Sequence, residues 1–167
     1  MSTSQQILEV LRAANKKLVI AESLTGGLLT AEFAKVAGAS DVLLAGIVAY
    51  DTGLKNELLG VSRQLLENQG AVDPEVAAQM AEGLRMKIAI KAGLELSQVI
   101  SISTTGVAGP TEQDGKPVGE LYICVSRGPE GEVSSNVFAH QIEGDRVKIQ
   151  ETAVLLGLEH LWEEITE

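Results

Sequence analysis

Apolar positions along the chain alternate between two rhythms. Ile7, Val10, Leu11 and Ala14 recur at helical spacing, which predicts a helix over Ser2–Asn15, with Thr3 and Gln6 spaced as a capping box. Leu18–Glu22 reads as a buried strand. Leu28, Leu29, Ala31, Ala34 and Val36 restore the helical period, so Thr25–Val36 is expected to be helical and to end at Gly38. Val42–Tyr50 is almost wholly apolar, which suits a strand covered on both faces. A short helix carrying Lys55, Leu58 and Leu59 is expected next, then another over Val61–Gln69 with Ser62 as its N-cap. Asp73-Pro74-Glu75 marks a helix start, and Ala77, Met80, Ala81, Leu84 and Ile88 keep the period up to Gly93. Ser97–Thr104 reads as a strand, followed by the loop Thr105–Pro110. Val118–Ser126 and Val133–Ile142 flank the turn Gly128-Pro129-Glu130-Gly131 as a hairpin. Asp145–Ile165 is expected to be a long final helix, with Val147, Val154, Leu158, Leu161 and Ile165 on one face.

Helices alternating with strands, and a hairpin late in the chain, predict an α/β fold. The expected form is three-layer α/β/α, a mixed sheet covered by helices on both faces, as one domain over residues 1–167. Hydrophobic residues make up 45% of the sequence and aromatics only 3%, so aliphatic side chains must build the core. The formal net charge is -10, which argues against nucleic acid or an anionic membrane as the partner. An anionic ligand would need local donors. The single cysteine, Cys124, leaves no internal disulfide and fits a reducing compartment. No apolar run is long enough to span a membrane and no leader pattern opens the chain, so a cytoplasmic location is expected.

Four places can carry chemistry. In Ala21-Glu22-Ser23-Leu24-Thr25-Gly26-Gly27 a strand feeds a helix through a glycine turn, setting a hydroxyl beside N–H groups that no helical carbonyl satisfies. Ser23 can be a nucleophile there, with Thr25, Gly26 and Gly27 receiving negative charge. Read alone, those residues are more simply explained by a helix cap, since caps are far commoner than nucleophiles. Tyr50 and Lys55 flank a second turn. A lysine acts as a base only if its surroundings lower its pKa, and a solvated lysine beside a strand-end tyrosine accounts for the same letters. The loop Thr105-Gly106-Val107-Ala108-Gly109-Pro110 lets backbone approach a ligand, or simply turns. Arg146 can clamp a phosphate or lie on a solvated helix face. His140 and His160 have no ligand-spaced partners, so no metal is expected, and Cys124 reads as core.

Together and in this order the motifs resemble one family. Ala21-Glu22-Ser23-x-Thr25-Gly26-Gly27, Val48-x-Tyr50, Lys55, Leu59-Gly60-Val61, Gly70-Ala71-Val72, Met80-Ala81-x-Gly83, Thr105-Gly106-x-Ala108-Gly109-Pro110, Lys116-Pro117-Val118-Gly119 and Gly144-Asp145-Arg146 resemble the CinA C-terminal domain, the nicotinamide-nucleotide amidohydrolase family, in its stand-alone form. The resemblance implies hydrolysis of the carboxamide of nicotinamide mononucleotide (NMN) to nicotinate mononucleotide and ammonia, without a cofactor. It implies Ser23 as nucleophile, Lys55 as its base and Tyr50 supporting the lysine. Thr105, Gly106, Ala108, Gly109 and Arg146 are candidates for holding ribose and phosphate. A homo-oligomer, with a dimer favoured, is expected on the same ground. The sequence departs from the family pattern at Leu24, Asp51-Thr52-Gly53-Leu54 and Thr111–Gly115. Those departures keep open a nucleotide-binding module that does not turn over.

Overall fold

Along Lys17–Glu22 (β1) the side chains point alternately to two apolar clusters. Leu18 and Ile20 belong to one, and Val19 and Ala21 to the other, so this strand is buried between two helical layers. The computed structural model describes residues 1–167, and the remaining elements follow in order. They are α1 (Thr3–Ala13), α2 (Leu28–Ala34), β2 (Leu43–Val48), α3 (Thr52–Leu59), α4 (Arg63–Gln69), α5 (Pro74–Ala92), β3 (Val99–Gly106), β4 (Glu120–Arg127), β5 (Ser134–Gln141) and α6 (Arg146–Thr166), with α1 preceding β1.

The strands form one sheet in the order β2-β1-β3-β4-β5. β1 runs parallel to β2 and β3, and β4 runs antiparallel to both β3 and β5. α1, α2 and α6 cover one face through Ile7, Leu11, Leu29, Phe33, Ala153 and Leu161. α3, α4 and α5 cover the other through Leu59, Leu66, Val76, Met80 and Leu84. This is the mixed three-layer α/β/α sheet that the alternation predicts. The helix caps follow the local sequence: Asp73 Oδ1 accepts from Glu75 N–H, Ser62 Oγ from Leu65 N–H and Asp145 Oδ1 from Lys148 N–H.

Three local expectations are corrected. β2 is not covered on both faces: it lies at the sheet's edge, its side chains alternate between half-buried and exposed, and Leu44 and Val48 face solvent. The first helix is capped by Ser2 rather than Thr3, with Ser2 Oγ accepting from Gln5 N–H at 3.3 Å. Val147 is exposed, at the margin of the buried stripe of α6 that runs through Ile149, Ala153, Val154, Gly157, Leu158 and Leu161. No helix is long and apolar enough to cross a membrane.

α5 and α3 meet closely. A Cβ added at Gly83 would lie 1.7 Å from the Leu59 carbonyl oxygen, so only glycine allows α3 its position. That contact matters because α3 carries Lys55.

Candidate active site

β1 delivers Ser23 to the C-terminal end of the parallel strands, where open α/β sheets form their crevices. The turn that follows is tied down at several points. Ser23 N–H donates to the Thr104 carbonyl at 3.0 Å. The Thr25 and Thr104 hydroxyls are 2.8 Å apart, and Gln150 Nε2 of α6 donates to the Leu24 carbonyl at 2.8 Å. Gly26 and Gly27 have φ of +58° and +99°, a region that side chains rarely adopt, so the glycine pair is what permits the turn.

The Glu22 carboxylate is fully buried and sits on the N-terminus of α2. It accepts from Gly27 N–H at 3.0 Å, Leu29 N–H at 3.1 Å, Thr30 N–H at 2.8 Å and the Thr30 hydroxyl at 2.6 Å. The orphan donors of the helix are therefore filled from within the chain. This corrects the expectation for Thr25, Gly26 and Gly27 as a set. Gly27 N–H serves Glu22, and Gly26 N–H donates to the Ser23 carbonyl at 3.0 Å. The N–H groups of Leu24 and Thr25 find no acceptor in the chain, and they are the ones adjoining Ser23.

Lys55 arrives from the first turn of α3. Asp51 caps that helix, its Oδ1 accepting from Gly53 N–H at 2.8 Å and Leu54 N–H at 3.2 Å. The lysine side chain is completely buried. Its Nζ donates to Ser23 Oγ at 3.0 Å and to the Ala49 carbonyl at 2.7 Å. Burial disfavours the ammonium and outweighs the attraction of Asp51, so the pKa falls from 10.5 to about 8. Ser23 is itself only 8% exposed. A buried amine with a lowered pKa, in hydrogen-bond reach of a serine hydroxyl, is chemically able to take that hydroxyl's proton.

Ser23 opens onto a cavity of about 290 Å³ lined also by Leu24, Tyr50, Thr105, Gly106, Ala108, Gly109, Glu112 and Arg146. Tyr50 does not support the lysine. Its side chain is exposed at the end of the edge strand, and its hydroxyl accepts from Arg146. The support is the Ala49 carbonyl instead. Arg146 also donates to the Gly109 carbonyl at 2.6 Å, so it spans the cavity mouth from α6 to both neighbouring turns. The Thr105 hydroxyl is committed to the Ala71 carbonyl at 2.6 Å, which fixes the Gly70–Val72 segment rather than facing a ligand. Gly106 packs close, since a Cβ there would meet the Glu120 carbonyl at 2.6 Å. Ala108 and Gly109 present N–H groups with no acceptor in the chain.

Sequence reasoning missed the Ala49 carbonyl, Glu22, Thr104 and Gln150. It also missed Asp51 as a cap, although an aspartate just before a helix is a known signal. His140 and His160 meet on β5 and α6 with their Nε2 atoms 2.8 Å apart and Glu163 on His160 Nδ1. Neither lines the cavity. Cys124 is buried, and burial pushes its thiol up to about 12.

Comparisons with known proteins agree with one another. The CinA C-terminal domain family matches residues 1–165. A CinA-like protein of Frankia casuarinae is 41% identical over 153 residues, which is 92% of this chain and 33% of that protein. A CinA-like protein of Prochlorococcus marinus is 39% identical over 161 residues, 96% of this chain and 35% of that protein. The chain thus spans about a third of the length of these curated relatives. Among solved structures, a competence-damaged protein (CinA) superfamily protein from Escherichia coli superposes with a TM-score of 0.81 at 29% identity, covering 97% of this chain and 88% of that one. The competence/damage inducible protein CihA from Agrobacterium tumefaciens gives a TM-score of 0.82 at 27% identity, covering 99% and 94%. The sequence, the sheet order and the paired Ser23 and Lys55 all lie within one match, and the chain belongs to the CinA C-terminal domain family.

Proposed function

We propose that this chain is an amidohydrolase that converts NMN to nicotinate mononucleotide and ammonia through Ser23 and Lys55. The observation that carries the reading is the 3.0 Å contact between Lys55 Nζ and Ser23 Oγ, in a buried setting that lowers the lysine pKa to about 8. In its neutral form Lys55 takes the Ser23 proton as Oγ attacks the carboxamide carbon. Negative charge on the tetrahedral oxygen falls to the unpaired N–H groups of Leu24 and Thr25. The Lys55 ammonium then gives its proton to the departing nitrogen, the C–N bond breaks and ammonia leaves. Water, deprotonated by Lys55, attacks the acyl carbon, and the proton returns to Ser23 Oγ as nicotinate mononucleotide is released. The Ala49 carbonyl holds Nζ in place throughout.

For the phosphate, the same cavity supplies Arg146 and the free N–H groups of Ala108 and Gly109 as donors. The test is ammonia release from NMN by purified protein, compared with Ser23→Ala and Lys55→Ala. Both substitutions are expected to abolish turnover. Wild-type turnover in Ser23→Ala would sink the mechanism. Saturable NMN binding with no ammonia from the unaltered protein would instead establish a non-catalytic nucleotide-binding module.

A further inference from the structure

Ser23 and Lys55 belong to a closed ring of contacts that passes through Glu22. Ser23 follows Glu22 in the chain, and its Oγ accepts from Lys55 Nζ at 3.0 Å. The same Nζ donates to the Ala49 carbonyl at 2.7 Å, and Ala49 N–H donates to the Glu22 carbonyl at 2.9 Å. The ring therefore starts and ends on the Glu22 backbone. The Glu22 side chain fastens it to α2 through three N–H groups and the Thr30 hydroxyl, with the carboxylate wholly out of solvent. No other polar side chain holds Glu22, and neither carboxylate oxygen reaches Lys55 or the cavity.

We infer that Glu22 is a positioning residue whose buried carboxylate, clamped on the first turn of α2, sets the separation between the Ser23 hydroxyl and the Lys55 amine. A carboxylate is needed because every group around it is a donor. A glutamine must turn its NH₂ toward either the Gly27 and Leu29 N–H groups or the Thr30 N–H, so at least one buried donor faces another donor. The turn then relaxes, and Ser23 moves with it. Misplacement by about an ångström is enough to cost on the order of 100-fold in rate.

The test has two arms. The first rests on the amidohydrolase reading: Glu22→Gln is expected to lower kcat for NMN on the order of 100-fold with KM changed less than about threefold. The second arm does not depend on the natural substrate. Ser23→Cys introduces a thiol beside Lys55, and the one native cysteine, Cys124, is buried and unreactive. The pH profile of its alkylation by iodoacetamide is expected to have a midpoint below the ordinary thiol value of about 8.5, because the ammonium stabilises the thiolate. Adding Glu22→Gln should return the midpoint to about 8.5 and slow alkylation at pH 7 about tenfold. An unchanged midpoint and rate in the folded double variant would overturn the proposal and leave Glu22 a residue of fold stability alone. Should Glu22→Gln fail to fold, Thr30→Val removes one of the four donors at nearly constant volume, and it should move the midpoint the same way by a smaller amount. Without NMN turnover in the unaltered protein the function reading fails, and the thiol profile still decides the role of Glu22.

Discussion

The buried lysine makes a quantitative prediction about folding. In the native protein Lys55 gives up its proton near pH 8, whereas in the unfolded chain it keeps it to about 10.5. Between those values the unfolded chain binds more protons, so stability rises with pH across that window. Integrating the linkage relation, the buried ammonium costs about 3 kcal/mol at pH 7 and less than about 1 kcal/mol at pH 10. Roughly 2 kcal/mol is therefore recovered on raising the pH. Lys55→Met removes that dependence. It also strips the donor from Ser23 Oγ and the Ala49 carbonyl, but this loss is the same at every pH and drops out of the slope. Tyr122 and Cys124, both pushed up to about 12, titrate alike in the two proteins and cancel as well. The assay is urea denaturation of both proteins at pH 7, 8, 9 and 10. The stability difference, wild type minus Lys55→Met, is expected to grow by about 2 kcal/mol from pH 7 to pH 10, or roughly 4–8 °C in melting temperature. Parallel curves would mean that Lys55 is solvated in the native state, and both the lowered pKa and the base role built on it would fall.

Other outcomes follow from the same geometry. With neutral Lys55 as the proposed base, kcat/KM for NMN should rise tenfold per pH unit below about 8 and level off above it, and a profile flat from pH 6 to 9 would exclude Lys55 as the base. Tyr50→Phe removes the acceptor for Arg146 at an exposed site, so a rise in KM of about fivefold, near 1 kcal/mol, is expected with the pH–rate midpoint unmoved. A shifted midpoint would return Tyr50 to the lysine. Gly83→Ala drives a methyl into the Leu59 carbonyl, and a destabilisation of about 3 kcal/mol or more is expected in thermal melts, together with loss of turnover as α3 and Lys55 are displaced. Full stability in that variant would show that α3 does not sit against α5 as described.

The order of helices and strands was legible because it rests on periodicity and caps, which are local. What stayed hidden depends on where the chain returns to itself. Val42–Tyr50 is apolar enough for a central strand, but strand order places it at the edge, and nothing within those residues reports the order. Tyr50 and Lys55 lie close in sequence, so a mutual contact was the natural reading. The lysine is held instead by the Ala49 carbonyl, and a main-chain oxygen has no signature in the letters. Tyr50 pairs with a residue 96 positions away. Ser23 alone reads more simply as a helix cap than as a nucleophile, and only the family resemblance turns that weighting before any distance does. Glu22 looked like the last residue of a strand. Its weight comes from four donors that converge only when the glycine turn is folded.

The occupied helix end bears on how the proposed nucleotide substrate would lie in the cavity. A chain of net charge -10 repels a phosphate at long range, so local donors must capture it. A helix N-terminus beside the nucleophile is the obvious place, and there a phosphate would compete with the reacting carbonyl for the same corner. Glu22 closes that place by filling it from inside. The donors left come from different segments of the chain. Leu24 and Thr25 offer N–H groups next to Ser23, whereas Ala108, Gly109 and Arg146 offer theirs across the loop and mouth. An NMN molecule bound by these groups is oriented by exclusion as much as by attraction. In the proposed reaction the two N–H groups beside Ser23 serve the carboxamide oxygen, and the Arg146 guanidinium serves the phosphate. On this view the buried carboxylate holds the nucleophile in place and also denies the phosphate its easiest wrong site.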